Sequence, residues 1–185
     1  MKFKVKQGEN VFKWHGIQLP NIPTFGRKRM VYKVKLAPEW FDDTPLTNPA
    51  GYGVKLPAIG KLNYHNSGAN FAIVKEGRQL ITYPRYYENK NLVQLRDHEE
   101  FIDGSTDMYE MYQIKGYDQL DKISSLQWFE TDSIITNVRY LPKCRWYTIT
   151  SGIGTTWSEE LQSRVVATKD LTIEIKFRLF GRIWI

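Results

Sequence analysis

The sequence is poor in cysteine and has no long apolar run. Its 185 residues include one cysteine, Cys144, which excludes an intrachain disulfide. No stretch approaches the roughly 20 apolar residues that a membrane-spanning helix needs, and the N-terminal residues lack the apolar segment of a secretory signal. These absences predict a protein without a membrane span, located in the cytoplasm unless other features place it elsewhere.

Histidine is also scarce, and no motif of catalysis or cofactor binding is present. His15, His65 and His98 lie far apart in sequence, and residue 102, where a zinc-protease motif starting at His98 would need its second histidine, is Ile102. Cys144 has no metal-ligand neighbour, although its basic flanks leave a reactive thiol open as an alternative. The sequence therefore predicts no metal, no cofactor and no enzyme. An active site assembled from scattered residues, which leaves no local motif, stays open as a third possibility.

Negative charge is scarce at both ends of the chain. Residues 1–36 hold nine lysines or arginines against one acid, and residues 141–185 hold seven against four, whereas residues 37–140 hold ten against fifteen. This asymmetry predicts a polyanionic partner or charge-complementary contact between copies of the protein. Charge that only keeps a β-rich protein soluble is the alternative.

The acidic residues are densest between positions 97 and 110. Asp97, Glu99, Asp103 and Asp107 carry the oxygen ligands that a hard cation prefers, but their spacing does not match an EF-hand. Docking against the basic N-terminal region of a neighbouring copy is an equal alternative, and a solvated loop is the simplest interpretation.

Alternation of apolar and polar residues predicts strands along most of the chain. It is clearest from residue 171 to residue 185, where the odd positions are apolar from Leu171 to Leu179 and again at Ile183 and Ile185. Because successive side chains of a strand point to opposite faces, this pattern predicts one long strand with one buried face. Gly181 is expected to mark a bulge or a close backbone approach, and the core is expected to extend to Ile185.

The remaining segments complete an all-β prediction. Further strands are predicted at 2–6, 11–19, 30–36, 109–114, 134–138 and 146–150, with a hairpin formed by 71–74 and 80–83. Proline and glycine predict a long loop at about 37–60, and helices are candidates at 117–129 and 158–166. We therefore expect one domain over residues 1–185, an antiparallel, jelly-roll-like β-sandwich with at most one or two short helices.

Basic residues interleaved with aromatic residues are the candidates for a binding surface. The residues predicted to bind nucleic acid or a partner are Lys4, Lys6, Lys13, Arg27, Lys28, Arg29, Arg85 and Arg145. Cations contact phosphates while aromatic rings stack on bases, a combination that binds nucleic acid with little sequence preference. Strand alternation places Phe3 and Tyr32 in the core instead, because their lysine neighbours point to the other face.

Two segments carry a resemblance to a known family. The strand pattern from Leu171 to Arg178 resembles the closing strand of single jelly-roll capsid proteins of small viruses, and the segment from Met111 to Lys115 resembles an internal strand of the circovirus-like group. Those proteins usually begin with a disordered arginine-rich arm, whereas this N-terminus is moderately basic and patterned like strands. The resemblance implies a virion component, and a phage connector or tail protein fits the same features.

The sequence thus favours a structural, self-associating virion component with a basic surface for nucleic acid or neighbouring subunits. The alternative is a non-specific single-stranded nucleic-acid binder with an OB-like barrel. It uses the same basic and aromatic residues but needs them on one open face.

Overall fold

The chain is all-β and antiparallel. The computed structural model describes residues 1–23, 29–47, 53–60, 67–76, 79–88, 91–102, 110–116, 122–128, 134–135, 139–140, 148–150, 153–155, 157–158, 163–179 and 183–185. The strands are β1 (Lys2–Val5), β2 (Val11–Trp14), β3 (Asn21–Pro23), β4 (Arg29–Leu36), β5 (Val54–Gly60), β6 (Ser67–Glu76), β7 (Gln79–Glu88), β8 (Asn91–Gln94), β9 (Glu100–Phe101), β10 (Glu110–Gly116), β11 (Lys122–Trp128), β12 (Ile134–Ile135), β13 (Arg139–Tyr140), β14 (Thr148–Thr150), β15 (Ile153–Thr155), β16 (Trp157–Ser158), β17 (Ser163–Arg164), β18 (Leu171–Leu179) and β19 (Ile183–Trp184). Two short 3-10 helices, Pro38–Phe41 and Arg96–His98, are the helical elements among these residues.

The strands form two packed sheets, as predicted for a β-sandwich. The front sheet runs in the order β2, β1, β18, β4, β10 and β11. The back sheet runs in the order β3, β14, β5, β6 and β7, with β8 and β9 both paired to β7. Strand β15 pairs with β5 of the back sheet and with β2 of the front sheet, so it joins the two layers.

The main core lies between the two sheets. The front sheet contributes Phe3, Tyr32 and Ile175, and the back sheet contributes Phe71 and Ile73, all of them buried. On β1 and β18 every second residue is buried, which confirms the alternation seen in the sequence. Burial of these apolar side chains, at roughly 25 cal/mol per Å² of apolar area, is the dominant stabilising contribution to such a sandwich.

The first 3-10 helix closes one end of the sandwich. Trp40 is fully buried, stacks on Phe12 at 5.9 Å between ring centroids, and donates a hydrogen bond from Nε1 to the Thr172 carbonyl oxygen at 2.8 Å. Lys75 of β6 donates from Nζ to the Phe41 carbonyl oxygen at 3.3 Å. Burial lowers the pKa of Lys75, and the nearby aspartates of the helix end partly oppose that shift.

Both predicted helices are wrong where the structure describes them. Residues 122–128 of the first candidate form β11, which pairs with β10. At the second candidate, residues 157–158 form β16 and residues 163–164 form β17, and these two strands pair with each other. The first candidate rested on Leu120 and Ile123 sharing a helix face. The backbone of β10 provides hydrogen-bond partners for residues 122–128, and the sequence of that segment alone does not show this. Pairing with a distant strand therefore overrides the weak helical periodicity.

The predicted loop at 37–60 is shorter than expected. The segment includes the helix Pro38–Phe41, and residues 54–60 form β5 in the middle of the back sheet. Pro57 is tolerated there because the pairing of β5 with β6 shifts register between Lys55 and Ala58. Residues in such a bulge do not need a backbone N–H that donates a hydrogen bond to the neighbouring strand.

The chain reverses direction after β18 instead of continuing as one strand to residue 185. Leu179 pairs with Ile183 in the antiparallel hairpin of β18 and β19. Ile183 is 63% exposed and Ile185 is 50% exposed, so the prediction that the core extends to Ile185 is wrong. Once the chain has turned back, the odd-numbered positions no longer face the interior. The predicted bulge at Gly181 itself lies outside the described residues.

Candidate anion-binding surfaces

The outward face of the front sheet is dominated by cations, and we call it the basic face. It consists of Lys2 and Lys4 of β1, Lys13 of β2, Lys33 and Lys35 of β4, and Lys176 and Arg178 of β18, with Glu174 in their midst. Lys2 and Lys4 are exposed, and the other cations are half-buried. Cross-strand register brings the side chains together, since Lys4 lies opposite Lys13 and Lys176 lies opposite Lys33.

A tight hairpin turn shapes one end of the basic face. Trp14 and Ile17 exchange two backbone hydrogen bonds of 2.9 Å, and the two residues between them have positive φ angles, 48° at His15 and 80° at Gly16. Positive φ at both central positions defines a type I′ turn, where glycine is favoured and histidine is uncommon. A cavity of about 600 Å³ lies beside this turn, lined by Met1, Lys2, Lys4, Lys13, Trp14, His15 and Gly16.

A second cavity lies on the same face, on the other side of Lys2. Its volume is about 260 Å³, and its lining residues include Lys2, Lys35, Thr172 and Glu174. The basic face is therefore an uneven surface with two recesses that share one lysine.

One carboxylate beside the basic face, that of Glu9, is already paired with a lysine of that face. Glu9 accepts a hydrogen bond from Lys13 Nζ at 2.8 Å and one from the Lys6 backbone N–H at 3.4 Å. The hydrogen bond from Lys13, followed by that from Lys6, lowers the pKa of Glu9. The pair lies at the surface, where such bridges contribute little to stability but do reduce the local positive charge.

The structure brings together some of the predicted binding residues. Lys4 and Lys13 are cross-strand neighbours, and Lys6 is exposed just beyond the end of β1. Arg29 begins β4, but its side chain is not among those described. Arg27, Lys28 and Arg145 lie outside the described residues.

Arg85 is a correction to the predicted surface. It is 2% exposed, and its Nε donates a hydrogen bond to Asn70 Oδ1 at 3.0 Å. Asn70, which is fully buried, donates in turn from Nδ2 to the Phe71 carbonyl oxygen at 3.0 Å. The aromatic residues around Arg85 suggested a surface patch, but both faces of β7 are covered, so this cation is interior.

Arg85 belongs to a polar group on the back sheet, on the face turned away from the main core. Asn70 of β6 pairs with Arg85 of β7, while Lys55 of β5 pairs with Ala72 on the same face. Lys55 is half-buried, and burial lowers its pKa, with further lowering from the positive charges of Arg85 and Arg164. No local sequence pattern marks Lys55 as a binding residue. The unbroken apolar runs of β6 and β7, typical of strands buried on both faces, were the available signal that this face is covered.

A tyrosine and a second arginine extend this polar face toward β8. The Tyr83 hydroxyl donates to Gln94 Oε1 at 2.6 Å, and the Arg96 guanidinium lies 4.5 Å from the centre of the Tyr83 ring. Arg96 forms ion pairs with Glu76 and Glu99. Burial raises the pKa of Tyr83, although the neighbouring arginines partly oppose that rise. Because the net shift is upward, the hydroxyl stays protonated at neutral pH.

The acidic segment is only partly described. Asp97 is exposed in the second 3-10 helix and Glu99 is paired with Arg96, whereas Asp103 and Asp107 lie outside the described residues. The described part of the chain contains no group of three or more histidine, cysteine, aspartate or glutamate side chains able to hold a metal ion. Nor is any helix in that part long and apolar enough to cross a membrane.

Comparisons with known proteins bear on the fold. No protein-family model matches the chain, and no curated protein matches it. Among solved structures, the chain is similar to a double mutant of the alginate lyase Aly36B in complex with alginate trisaccharide. The TM-score is 0.50 and the identity 12%, over 97% of this chain and 81% of the other. It is also matched to the CBM2 module of an evolved Dit protein from Lactobacillus casei BL23 phage J-1. There the TM-score is 0.39 and the identity 10%, over 97% of this chain and 70% of the other. At such identity the lyase match supports the β-sandwich fold alone.

Proposed function

We propose that the protein is a non-catalytic nucleic-acid-binding β-sandwich whose basic face contacts the phosphate backbone. The observation that carries the proposal is the cross-strand arrangement of lysines and Arg178 on one face of the front sheet, with the exposed Lys2 and Lys4 on β1. Cations on neighbouring strands lie about 5 Å apart, and alternate residues of one strand lie about 7 Å apart. Such a lattice of positive charge attracts a flexible polyanion without reading its sequence.

The hairpin tip adds an aromatic element to this surface. Trp14 and His15 meet edge to face at 5.0 Å between ring centroids, and both line the larger cavity beside Lys4 and Lys13. Aromatic rings next to backbone-contacting cations are the usual arrangement for single strands, because bases stack whatever their identity. We therefore propose single-stranded nucleic acid as the preferred ligand.

Salt-dependent binding of a labelled single-stranded oligonucleotide tests this proposal. Parent protein and the variant Lys4→Gln are titrated by fluorescence anisotropy at several salt concentrations. Loss of one phosphate contact should lower affinity and reduce the slope of log affinity against log salt by about 0.7. The variant Lys169→Gln is the matched control, since it removes one positive charge that is instead paired with Asp42, 2.6 Å away.

The contrast between the two lysine variants decides the outcome. Equal effects of Lys4→Gln and Lys169→Gln would mean that only net charge matters, and the basic face would lose its assigned role. Absence of binding by the parent protein at low salt would overturn the proposal as a whole.

The second candidate function is a self-associating structural component of a virus particle. In this role the basic face of one copy meets the acidic segment of its neighbour. The observation that favours it is the exposure of two residues at the start of that segment, Asp97 and Phe101, the second of which is 68% exposed. Large exposed aromatic residues beside charge are typical of interaction surfaces.

Light scattering after size-exclusion chromatography tests self-association. We expect oligomers at low ionic strength that dissociate as salt rises, and the variant Asp97→Lys should shift the equilibrium toward monomer. A strict monomer at high concentration and low salt, with and without nucleic acid, would contradict this role.

A further inference from the structure

We propose that the smaller recess of the basic face recognises the 2′-hydroxyl group of a ribose through Glu174, so that the protein prefers single-stranded RNA to single-stranded DNA. This inference rests on the proposed function and names the kind of nucleic acid that the basic face binds. Among the described residues of β1, β2, β4 and β18, Glu174 is the one acid whose side chain lies on that face.

The pairing of three strands fixes the position of Glu174 between two cations. Lys2 of β1 lies directly opposite it on one side, and Lys35 of β4 lies directly opposite it on the other. The Cβ atoms of such pairs are about 5 Å apart. A carboxylate at this spacing repels a phosphate bound by either lysine, and that repulsion lowers the affinity for a polyanion. The acid therefore contributes to binding only through a ligand group other than phosphate.

The recess beside Glu174 is preformed, because the backbone at Thr172 is held in place. The Thr172 N–H donates to Glu39 Oε1 at 3.0 Å, and its carbonyl oxygen accepts from Trp40 Nε1 at 2.8 Å. Thr172 and Glu174 are alternate residues of β18, so both side chains lie on the outward face, about 7 Å apart. Pro38 of the first 3-10 helix also lines the recess.

The size of this recess suits a sugar better than a whole nucleotide. Its volume, about 260 Å³, is just below the range of roughly 300–1,000 Å³ that is typical of small-molecule pockets. The larger cavity on the other side of Lys2 contains the aromatic side chains of Trp14 and His15. A phosphate bound by Lys2 can therefore place a base in the larger cavity and a ribose in the smaller recess.

Hydrogen-bonding chemistry identifies the group that Glu174 contacts. An ionised carboxylate accepts hydrogen bonds and donates none, so its partner must be a donor. In a single strand the donors are base N–H groups, which differ from base to base, and in RNA the 2′-hydroxyl group of each ribose. A donor present at every nucleotide matches a surface that binds without reading sequence. The same hydroxyl is the group that distinguishes RNA from DNA.

Oligomers that differ only at the 2′ position test this inference. Labelled homo-oligomers of uridine, 2′-deoxyuridine and 2′-O-methyluridine, all of one length, are titrated with the full chain by fluorescence anisotropy at low salt. The uridine oligomer should bind about ten-fold more tightly than the other two, because a hydrogen bond to a charged acceptor is lost in both. The 2′-O-methyl oligomer keeps the oxygen atom but has no O–H to donate.

Three variants show whether Glu174 is responsible for the preference. Glu174→Ala should raise the affinity for the deoxyuridine oligomer and bring the ratio of uridine to deoxyuridine affinity close to one. Glu174→Gln keeps a neutral acceptor, so the ratio should fall to about two- to three-fold. Glu9→Gln is the matched control. It removes an acid that pairs with Lys13 and does not line the recess, so both affinities should rise and the ratio should stay near ten-fold. Thermal melts check that each variant is folded.

The outcomes separate this inference from the proposed function. Equal binding of the uridine and deoxyuridine oligomers by the parent protein would overturn the ribose assignment and leave the basic face as a nucleic-acid surface. If Glu174→Ala raised every affinity by the same factor and kept the ratio, Glu174 would only balance the charge of its lysine neighbours, and its assignment would be wrong. Absence of binding to all three oligomers would overturn the proposed function, and this inference with it.

Discussion

The two sheets both carry cations on their outward faces, but they expose them very differently. On the front sheet Lys2 and Lys4 are exposed and the other five cations of the basic face are half-buried, while on the back sheet Lys55 is half-buried and Arg85 is buried. Water screens the exposed lysines, so many weak contacts must add up and salt weakens them together. The second set lies in a less polar environment, where one well-placed anion has a larger effect. Cations on the two sheets therefore lie in different environments, one hydrated at its exposed lysines and the other largely buried.

The largest expected effect is the difference in stability between substitutions on the two faces of β18. Ile175 is fully buried, so Ile175→Asp places an unpaired charge in the main core and should lower the free energy of unfolding by at least about 3 kcal/mol. Lys176→Asp alters the outward face and should change it by about 0.5 kcal/mol or less. Denaturant unfolding of both variants beside the parent measures the difference. Equal tolerance would mean that β18 does not separate core from surface.

A smaller but substantial effect is expected at Gly53, where the chain enters the back sheet. A Cβ added there would lie 1.8 Å from the Ile73 carbonyl oxygen and 2.5 Å from Val74 Cγ1, so the backbone of β6 must move. Gly53→Ala should therefore cost about 2–3 kcal/mol of unfolding free energy. Gly8→Ala is the control, because no atom lies within 4 Å of an added Cβ there and only its positive φ is strained. A back sheet that tolerates Gly53→Ala as well as Gly8→Ala would not be packed as described.

The burial of Lys55 has a predictable dependence on pH. Because its pKa is lower in the folded protein than the ordinary 10.5, the folded state releases this proton first, and stability rises as the pH approaches 10.5. Lys55→Met should therefore be more stable than the parent by about 1 kcal/mol at neutral pH. The gap should narrow as the pH rises toward 10.5. A gap that stays constant or widens in parallel chemical unfolding series would show that Lys55 is solvated like the lysines of the front sheet.

The smallest effect sharpens the description of the basic face. Glu9→Gln removes the carboxylate that holds Lys13, so oligonucleotide affinity at low salt should rise by about two- to five-fold. Anisotropy titrations measure the change, and Asp97→Asn is a control that removes one exposed acid in the second 3-10 helix, away from the basic face. An identical gain in both variants would indicate long-range attraction alone.

The sequence predicts the inner surface of the front sheet well because burial there follows strict alternation. Phe3, Tyr32 and Ile175 are buried as expected, and their charged neighbours face outward. The residues from Leu80 to Tyr86 show no alternation, since both faces of β7 are covered, and the surface role predicted for Arg85 was therefore wrong. Which strand covers which depends on pairings between distant segments, and a pattern within one segment does not contain that information.

The site was only partly predictable for the same reason. Lys4 and Lys13 were predicted as binding residues from composition. Their cross-strand pairing depends on the turn at His15 and Gly16, and this turn is hard to predict because histidine is uncommon at a position with positive φ. Lys55 lies within the proline- and glycine-rich stretch that was predicted to be a loop. The bulge that accommodates Pro57 in β5 is a property of the pairing with β6 and not of the segment alone.

The position of β18 between β1 and β4 bears on how the chain folds during synthesis. Lys2 of β1 pairs with Glu174, and Leu36 of β4 pairs with Ile173, so the middle of the front sheet is filled by a strand made more than a hundred residues after its neighbours. Until that strand leaves the ribosome, β1 and β4 have unpaired edges and an uncovered apolar surface. Sheets dominated by such distant pairings fold slowly, and the waiting intermediate is prone to aggregate. We therefore expect the yield of native protein to depend on synthesis rate and on chaperones more strongly than its final stability would suggest.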